Sequence, residues 1–329
     1  RVATKELMIS LAKLIDCWNP LWHDDNYARN TRWGGIIAPP MWIYCVTFGV
    51  TTMTPAMDVP PSLGVNIMPP YGTTSHLFFK PIHVNDSFRV LVMRAGLEDM
   101  TKLDGSGPRT FKIKSGIKVL NQNDELVHIR TMSTKTIIVP KAELCEKAEP
   151  TPKYEYTKEE LAYIDRIADE EEIRGAKRRY CEDVSIGDEL RPVVYGPVTV
   201  WDQVCMIAHA GLITHPMREV RRNTPDVTFT DSATGVSLKT IEIHLSEYSA
   251  TAMIGGAPLL EGHEEVLSRL ITNWMGDDGF LKKLIRNGAW SMDTIGDTWF
   301  GRGKVTRKYS ANGEHLVDLV VWLENIRGH

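Results

Sequence analysis

The chain has 329 residues, an apolar fraction of 43% and a net charge of −4 from 38 basic and 42 acidic side chains. That is enough apolar material for buried cores in about two domains, and no basic face points to nucleic acid. Five cysteines (Cys17, Cys45, Cys145, Cys181, Cys205) lie far apart with no CxxC pair, which argues against a disulfide framework and for a reducing, cytoplasmic setting.

Residues 4–15 place Leu7, Met8, Leu11, Leu14 and Ile15 at helical spacing, with Thr4 able to cap the helix and Asn19-Pro20 ending it. Asp24 or Asp25 caps a further short helix. The longest uncharged run, 33–50, opens with Gly-Gly and contains Pro39-Pro40. Those residues would break a membrane span. The run is read as a loop feeding a buried core helix from about Pro40. No secretory signal is visible at the start.

Residues 75–138 have strand character. Val-, Ile-, Thr- and Phe-rich runs are separated by the polar turns VNDS, DGSGP and NQND. His76 and His83 flank one such strand and default to surface or edge positions. Residues 140–180 are highly charged, with Thr157 and Glu160 forming a capping box for a helix to about Arg174. This stretch reads as a linker with a solvated surface helix. A second unit starts near Tyr180, with a helix that Thr199 can cap. It continues through a long loop at 216–240, an apolar helical pattern at 259–275 and two strands joined by SANG.

The two halves align on each other. A shift of 222 positions puts Trp22 on His244, Ala28 on Ala250, Gly34 on Gly256 and Pro40 on Gly262. VNDSFRVLVMRAG falls on IGDTWFGRGKVTRK, and KVLNQNDE on VWLENIRG. After its NQND turn the first unit has a further strand, whereas after NIRG the second unit stops at His329. The second sheet is therefore expected to lack its last strand, leaving a long edge exposed to unwanted pairing. The expected domains are 1–140, a linker at 141–179, and 180–329.

A helix wrapped by a long antiparallel sheet, occurring twice, resembles the double hotdog fold, of α+β class. Each of its two antiparallel sheets wraps a central helix, and the units pack side by side. NPLWHDDNYARNTRWGGIIAPP is similar to the N-terminal FAS1-like dehydratase domain of MaoC-type acyl dehydratases. RRYCEDVSIGDELRPVVYGPVTVWDQV, NWMGDDGFLKKL and GDTWFGRGKVTRKYSANGEHLVDLVVWLENIRG resemble parts of their second domain. The resemblance implies reversible hydration of a 2-enoyl thioester of coenzyme A, a hydro-lyase reaction. It implies no cofactor beyond the coenzyme A of the substrate, and no metal. His23-Asp24-Asp25 fits no ligand spacing.

The family's motif is D-x-N-P-x-H, followed eighteen residues after the histidine by a glycine. Asp and His supply acid and base, and a backbone N–H at the helix start stabilises the thioester oxyanion. In the first unit Asn19 and Pro20 match, but Cys17 stands for the aspartate and Trp22 for the histidine. That unit is expected to be catalytically dead, with Trp22 either a wall for an acyl chain or ring or a core tryptophan. In the second unit His244 and Gly262 match, but Lys239 replaces the aspartate and Ile241-Glu242 replace Asn-Pro. His244 is thus either the acid/base or a structural histidine, and Gly262 either the oxyanion donor or a turn glycine.

The candidates to replace the aspartate are His215, Glu242 and Asp231. Trp33 with Trp22 is a candidate substrate contact, as are Arg218, Arg221 and Arg222 with Lys282 and Lys283 for coenzyme A phosphates. The Gly276–Gly279 turn is expected to help the two units pack. A hotdog thioesterase using Asp16 or Asp231, and a non-catalytic subunit paired with an intact hotdog partner, are the alternatives. Homodimerisation is also open.

Overall fold

The computed structural model describes residues 2–51, 65–67, 72–139, 152–209, 228–230, 237–239, 262–288 and 295–328. Helix α1 spans Lys5–Leu14 and is capped by the Thr4 hydroxyl, which accepts from the Leu7 amide. It stops at Leu14, ahead of Asn19-Pro20, because Asp16 turns the chain with φ +54°. Helix α2 spans Asp25–Arg29, with Asp24 accepting from the amides of Asn26 and Tyr27. A 3-10 turn at Pro40–Ile43 runs into α3, Tyr44–Thr51, as the double proline predicts.

Five strands follow: β1 (Val65–Ile67), β2 (Gly72–Phe78), β3 (Phe88–Asp99), β4 (Arg109–Asn121) and β5 (Leu126–Val139). Helix α4 is Lys158–Asp169, β6 is Val193–Tyr195 and α5 is Val200–His209. The short strands β7 (Thr228–Thr230) and β8 (Ser237–Lys239) pair within the stretch expected to be loop. Helix α6 is Gly262–Met275, followed by β9 (Lys283–Gly288), β10 (Trp299–Ala311) and β11 (Glu314–Asn325). The two-residue loop between β10 and β11 is Asn312-Gly313, both with positive φ (52° and 77°). That is the type I′ geometry for which Asn-Gly is preferred.

Strand order in the first sheet is β3-β4-β5-β2-β9, with β1 added to β5. The second sheet is β11-β10-β6. All pairings are antiparallel. β9 comes from the second unit, yet it pairs with β2 of the first, His76 opposite Leu284 and Ser75 opposite Ile285. The units are therefore joined edge to edge. In the first unit β5 lies between β4 and β2; among the described residues no strand takes the corresponding place between β11 and β9.

The first core gathers Met8 and Leu11 of α1 and Ile15 just after it with Trp22, Trp42, Ile117 and Val127. The second packs Val266 and Leu270 of α6 on Val193, Tyr195 and Trp299. Met41, Tyr44, Ile271 and Leu284 form a third cluster across the junction. Helix α6 is enclosed to the point that Glu264, Glu265, Ser268, Arg269, Thr272 and Asn273 are all buried.

Helix α4 keeps the expected solvated face, with Glu159, Asp165, Arg166 and Asp169 exposed, while its opposite face is docked. It ends at Asp169, short of Arg174, and Ile164 and Ile167 pack on Val194 and Phe300. Its capping box is present, with Thr157 Oγ1 accepting from the Glu160 amide and Glu160 accepting from the Thr157 amide. Thr157→Ala is expected to cost about 1 kcal/mol, read as a lower urea midpoint at unchanged slope. No helix among the described residues is long and apolar enough to cross a membrane.

Candidate functional site

The first copy of the repeat found in the sequence can be traced in space. In the first unit Asn19 caps a 3-10 turn at Pro20–Trp22, its Oδ1 accepting from the Leu21 amide at 3.0 Å. Trp22 lines the same cleft as Pro40, the first residue of the turn that opens α3. Trp22, Trp33, Pro40, Phe78, Val127 and His128 line an apolar cleft closed from the other side by Thr272, Met275 and Asp277 at the carboxyl end of α6. Trp22 is also buried in the first core, so it is both a core residue and a wall.

The cleft holds none of the expected catalytic groups at their motif positions. Trp22 has no titrating proton. Pro40 has no N–H to offer an oxyanion. Burial pushes the Cys17 thiol up to about 11, so it is no thiolate at neutral pH.

The Gly276–Gly279 turn locks the units together as expected. Gly276 ends α6 with φ +74°, the left-handed terminus for which glycine is favoured. Asp277 then accepts from Asn19 Nδ2 (2.8 Å) and the Tyr27 hydroxyl (2.6 Å), and its carbonyl accepts from Trp33 Nε1 (2.7 Å).

In the second unit Gly262 is the first residue of α6, the position matching Pro40. The leading amides of a helix lack intrahelical acceptors, and the helix dipole adds positive potential there. His244, His215, Glu242, Asp231, Arg218, Arg221 and Arg222 lie outside the described residues. Lys282 is paired with Glu314 at 2.6 Å.

Near that helix start lies a buried polar cluster that the sequence reading missed. Glu264, in the first turn of α6, accepts from the Tyr44 hydroxyl and meets Arg286 Nε of β9 at 3.3 Å. The Tyr44 hydroxyl lies 3.3 Å from His76 Nε2, and His76 Nδ1 lies 3.1 Å from His128 Nε2. Arg286 also donates to Thr74 Oγ1 (3.0 Å), and the Arg130 guanidinium sits 4.9 Å from the Tyr44 ring centre.

The surface or edge position expected for His76 is thus corrected: its side chain is fully buried. The physical reason is the joined sheet. β9 covers the edge that β2 would otherwise expose, which makes β2 an interior strand with one face under the helices. The signal available in the sequence was period two: Thr74, His76 and Phe78 share one face of β2, and His128 and Arg130 one face of β5.

Burial, reinforced by Arg130, holds His76 well below the usual histidine range and brings His128 down to about 3. Burial raises the Glu264 pKa, and Arg286 opposes that shift. The histidine shifts fix a sign. In acid below about pH 6.5 the unfolded chain binds protons that the folded imidazoles refuse. Stability is therefore expected to fall as pH drops from about 6.5 towards 3, at up to about 1.4 kcal/mol per pH unit for each imidazole. Urea midpoints across that window check this, and a midpoint flat from pH 6.5 to 4.5 would contradict it.

No protein-family model matches the chain, and no curated protein sequence does. Solved structures do. A MaoC-like dehydratase superposes with a TM-score of 0.60 at 15% identity, covering 98% of this chain and 94% of that one. A putative MaoC domain protein dehydratase from Chloroflexus aurantiacus J-10-fl gives 0.56 at 11%, covering 99% and 84%. A conserved hypothetical protein from Mycobacterium tuberculosis, described as having a double hotdog fold, gives 0.54 at 10%, covering 98% and 86%. At such identities the likeness establishes the fold. This chain is a double hotdog protein, built on the scaffold seen in MaoC-like dehydratases.

Proposed function

We propose that the chain is a hydratase/dehydratase that adds water reversibly to the double bond of a 2-enoyl-CoA, with the chemistry at the amino end of α6. The observation that carries this reading is the contrast between two equivalent helix starts. Gly262 opens α6 with a backbone N–H, whereas Pro40 opens the first unit's helix without one. A water oxygen bonds to the β carbon as a base takes one of its protons. The double-bond electrons move towards the thioester oxygen, and an acid then protonates the α carbon. The oxygen carries negative charge between these steps, and the Gly262 N–H with the α6 dipole stabilises it there. His244 serves as acid and base, with His215, Glu242 or Asp231 in the place of the motif aspartate.

In this reading Trp22 and Trp33 contact the acyl part, and Arg218 and Arg222 the phosphates of coenzyme A. Coenzyme A arrives as part of the substrate, and no separate cofactor is required. Cys17, Cys181 and Cys205, none of them in a disulfide, suit a cytoplasmic setting. A homodimer or a partner hotdog subunit is compatible with it. The thioesterase alternative gains nothing from Asp16, which is engaged by Trp18 Nε1 and the buried Arg269 and does not line the cleft.

The test is loss of the enoyl thioester absorbance with several enoyl-CoAs, for the wild type and His244→Ala. The variant is expected to lose about 10²–10⁴-fold in rate. Equal rates would remove His244 from the mechanism. An inactive wild type that gains activity only with a second hotdog chain would favour the non-catalytic subunit instead.

A further inference from the structure

At the carboxyl end of α6, Asn273 and Trp274 share a cavity of about 260 Å³ with Glu172 and Arg179 of the linker and Asp188, Glu189 and Arg191 ahead of β6. That is far above the ~10–15 Å³ that one water needs. The proposed reaction uses none of these residues. Roughly 16 Å of helix axis lies between Gly262 and Asn273, so the cavity is a place apart from the one proposed for the thioester.

Two guanidiniums and three carboxylates line this one cavity, yet they are barely paired with each other. Arg191 Nε stands 3.9 Å from Glu172 Oε2, the one ion pair between these charged groups. Both of those side chains are exposed, and such a pair is weak. Asp188 is engaged elsewhere, its Oδ2 accepting from the Ser185 amide at 2.8 Å. Arg179 is fixed in place: its Nε donates to the Trp274 carbonyl at 2.9 Å, and its guanidinium carbon lies 4.5 Å from the centre of the Trp274 ring. Its two terminal nitrogens have no hydrogen-bond or ion-pair partner among the described residues, and neither has the Glu189 carboxylate. The backbone on either side of Glu189 is pinned to β10, the Val305 amide donating to the Asp188 carbonyl and the Leu190 amide to the Gly303 carbonyl, each at 2.9 Å.

A positive and a negative pole are therefore held apart in one cavity instead of collapsing onto each other. Burial and the neighbouring Arg174 keep the Arg179 pKa below its ordinary range, the direction expected of a cation that the protein alone compensates poorly. A lone anion would meet three carboxylates, and a lone cation would meet the Arg179 fork. A molecule that carries both charges satisfies both poles.

We propose that this cavity binds a free α-amino acid as its zwitterion, the carboxylate on the terminal nitrogens of Arg179 and the ammonium on Glu189. A guanidinium fork matches a carboxylate bidentately, and the space left over takes the side chain.

L-Alanine and L-glutamine serve as probes, with propionate and ethylamine as controls that each carry one of the two charges. Binding is followed at neutral pH by the indole N–H signal of Trp274 in ¹H–¹⁵N spectra. Both amino acids are expected to shift that signal saturably, and each control to bind at least about tenfold more weakly, because one charged hydrogen-bond partner is missing. Glu189→Gln removes an exposed charge and is expected to weaken both amino acids at least about tenfold while leaving propionate unchanged. Arg179→Lys keeps the positive charge without the fork and is expected to cost a similar factor. Should that variant fold poorly, Glu189→Gln decides. Failure of both amino acids to shift the signal, controls that bind as tightly as L-alanine, or unchanged amino-acid affinity in Glu189→Gln overturns the site.

Discussion

Gly262→Pro is expected to lower enoyl thioester hydration by about 10²–10³-fold, the effect of removing one oxyanion donor, while the fold survives. Proline is tolerated in the first turn of a helix, where its missing N–H has no intrahelical acceptor to lose. The chain itself shows this tolerance, since Pro40 opens the equivalent helical segment of the first unit. The substitution therefore separates chemistry from folding more cleanly than a change in the helix interior would. Far-UV circular dichroism is expected to be unchanged and the loss to fall in kcat. The reciprocal Pro40→Gly restores an N–H beside Trp22, which can neither give nor take a proton, and is expected to create no second active centre. Gly262→Pro retaining wild-type turnover would show that the oxyanion is held elsewhere.

Glu171→Ala is expected to be the most damaging single truncation for stability, at about 3–5 kcal/mol. Arg269 of α6 is almost fully buried and is held by Glu171, whose carboxylate accepts from its Nε at 2.9 Å and from a second guanidinium nitrogen. The same carboxylate accepts from Asn273 Nδ2 at 2.6 Å. Arg269 NH1 also donates to the carbonyls of Ile15 (3.0 Å) and Val194 (3.3 Å). This one guanidinium thus ties the first unit's opening helix, the charged linker and the second sheet to the central helix.

Removing the carboxylate leaves a buried cation with carbonyls and the more distant Asp16, at 3.9 Å. Removing both charges with Glu171→Leu and Arg269→Met is expected to recover most of the loss, because no buried charge is then left unpaired. Urea unfolding of the single and double variants checks both statements. A loss under about 1 kcal/mol in Glu171→Ala would place the pair among weak surface ion pairs.

Much of the scaffold was legible from local pattern. The caps at Thr4, Asp24 and Thr157, the proline-led entry to the core helix and the Asn312-Gly313 hairpin all follow from short-range chemistry. The alignment of Pro40 with Gly262 matches two residues that each open a helical segment. What local pattern did not carry is the joining of β2 to β9, a pairing between residues more than 200 positions apart.

That one contact turns an apparent edge strand into an interior one and brings His76 into the core. It also places Arg286 against Glu264. The polar residues of α6 are buried by contacts from distant parts of the chain as well. Glu264 meets Tyr44 and Arg286, and Arg269 and Asn273 meet Glu171. The linker helix α4 shows the converse, a mostly charged sequence in which two isoleucines suffice to dock one face.

Of the two matching helix starts, the one opened by Gly262 is proposed to hold the reacting thioester. The direct measurement is a crystal structure with a non-reactive acyl-CoA analogue bound. The thioester oxygen is expected about 3 Å from the Gly262 amide nitrogen, with the His244 ring beside the β carbon. A thioester seated instead against Pro40 and Trp22 in the first unit's cleft, or a His244 ring turned away from it, would contradict the account.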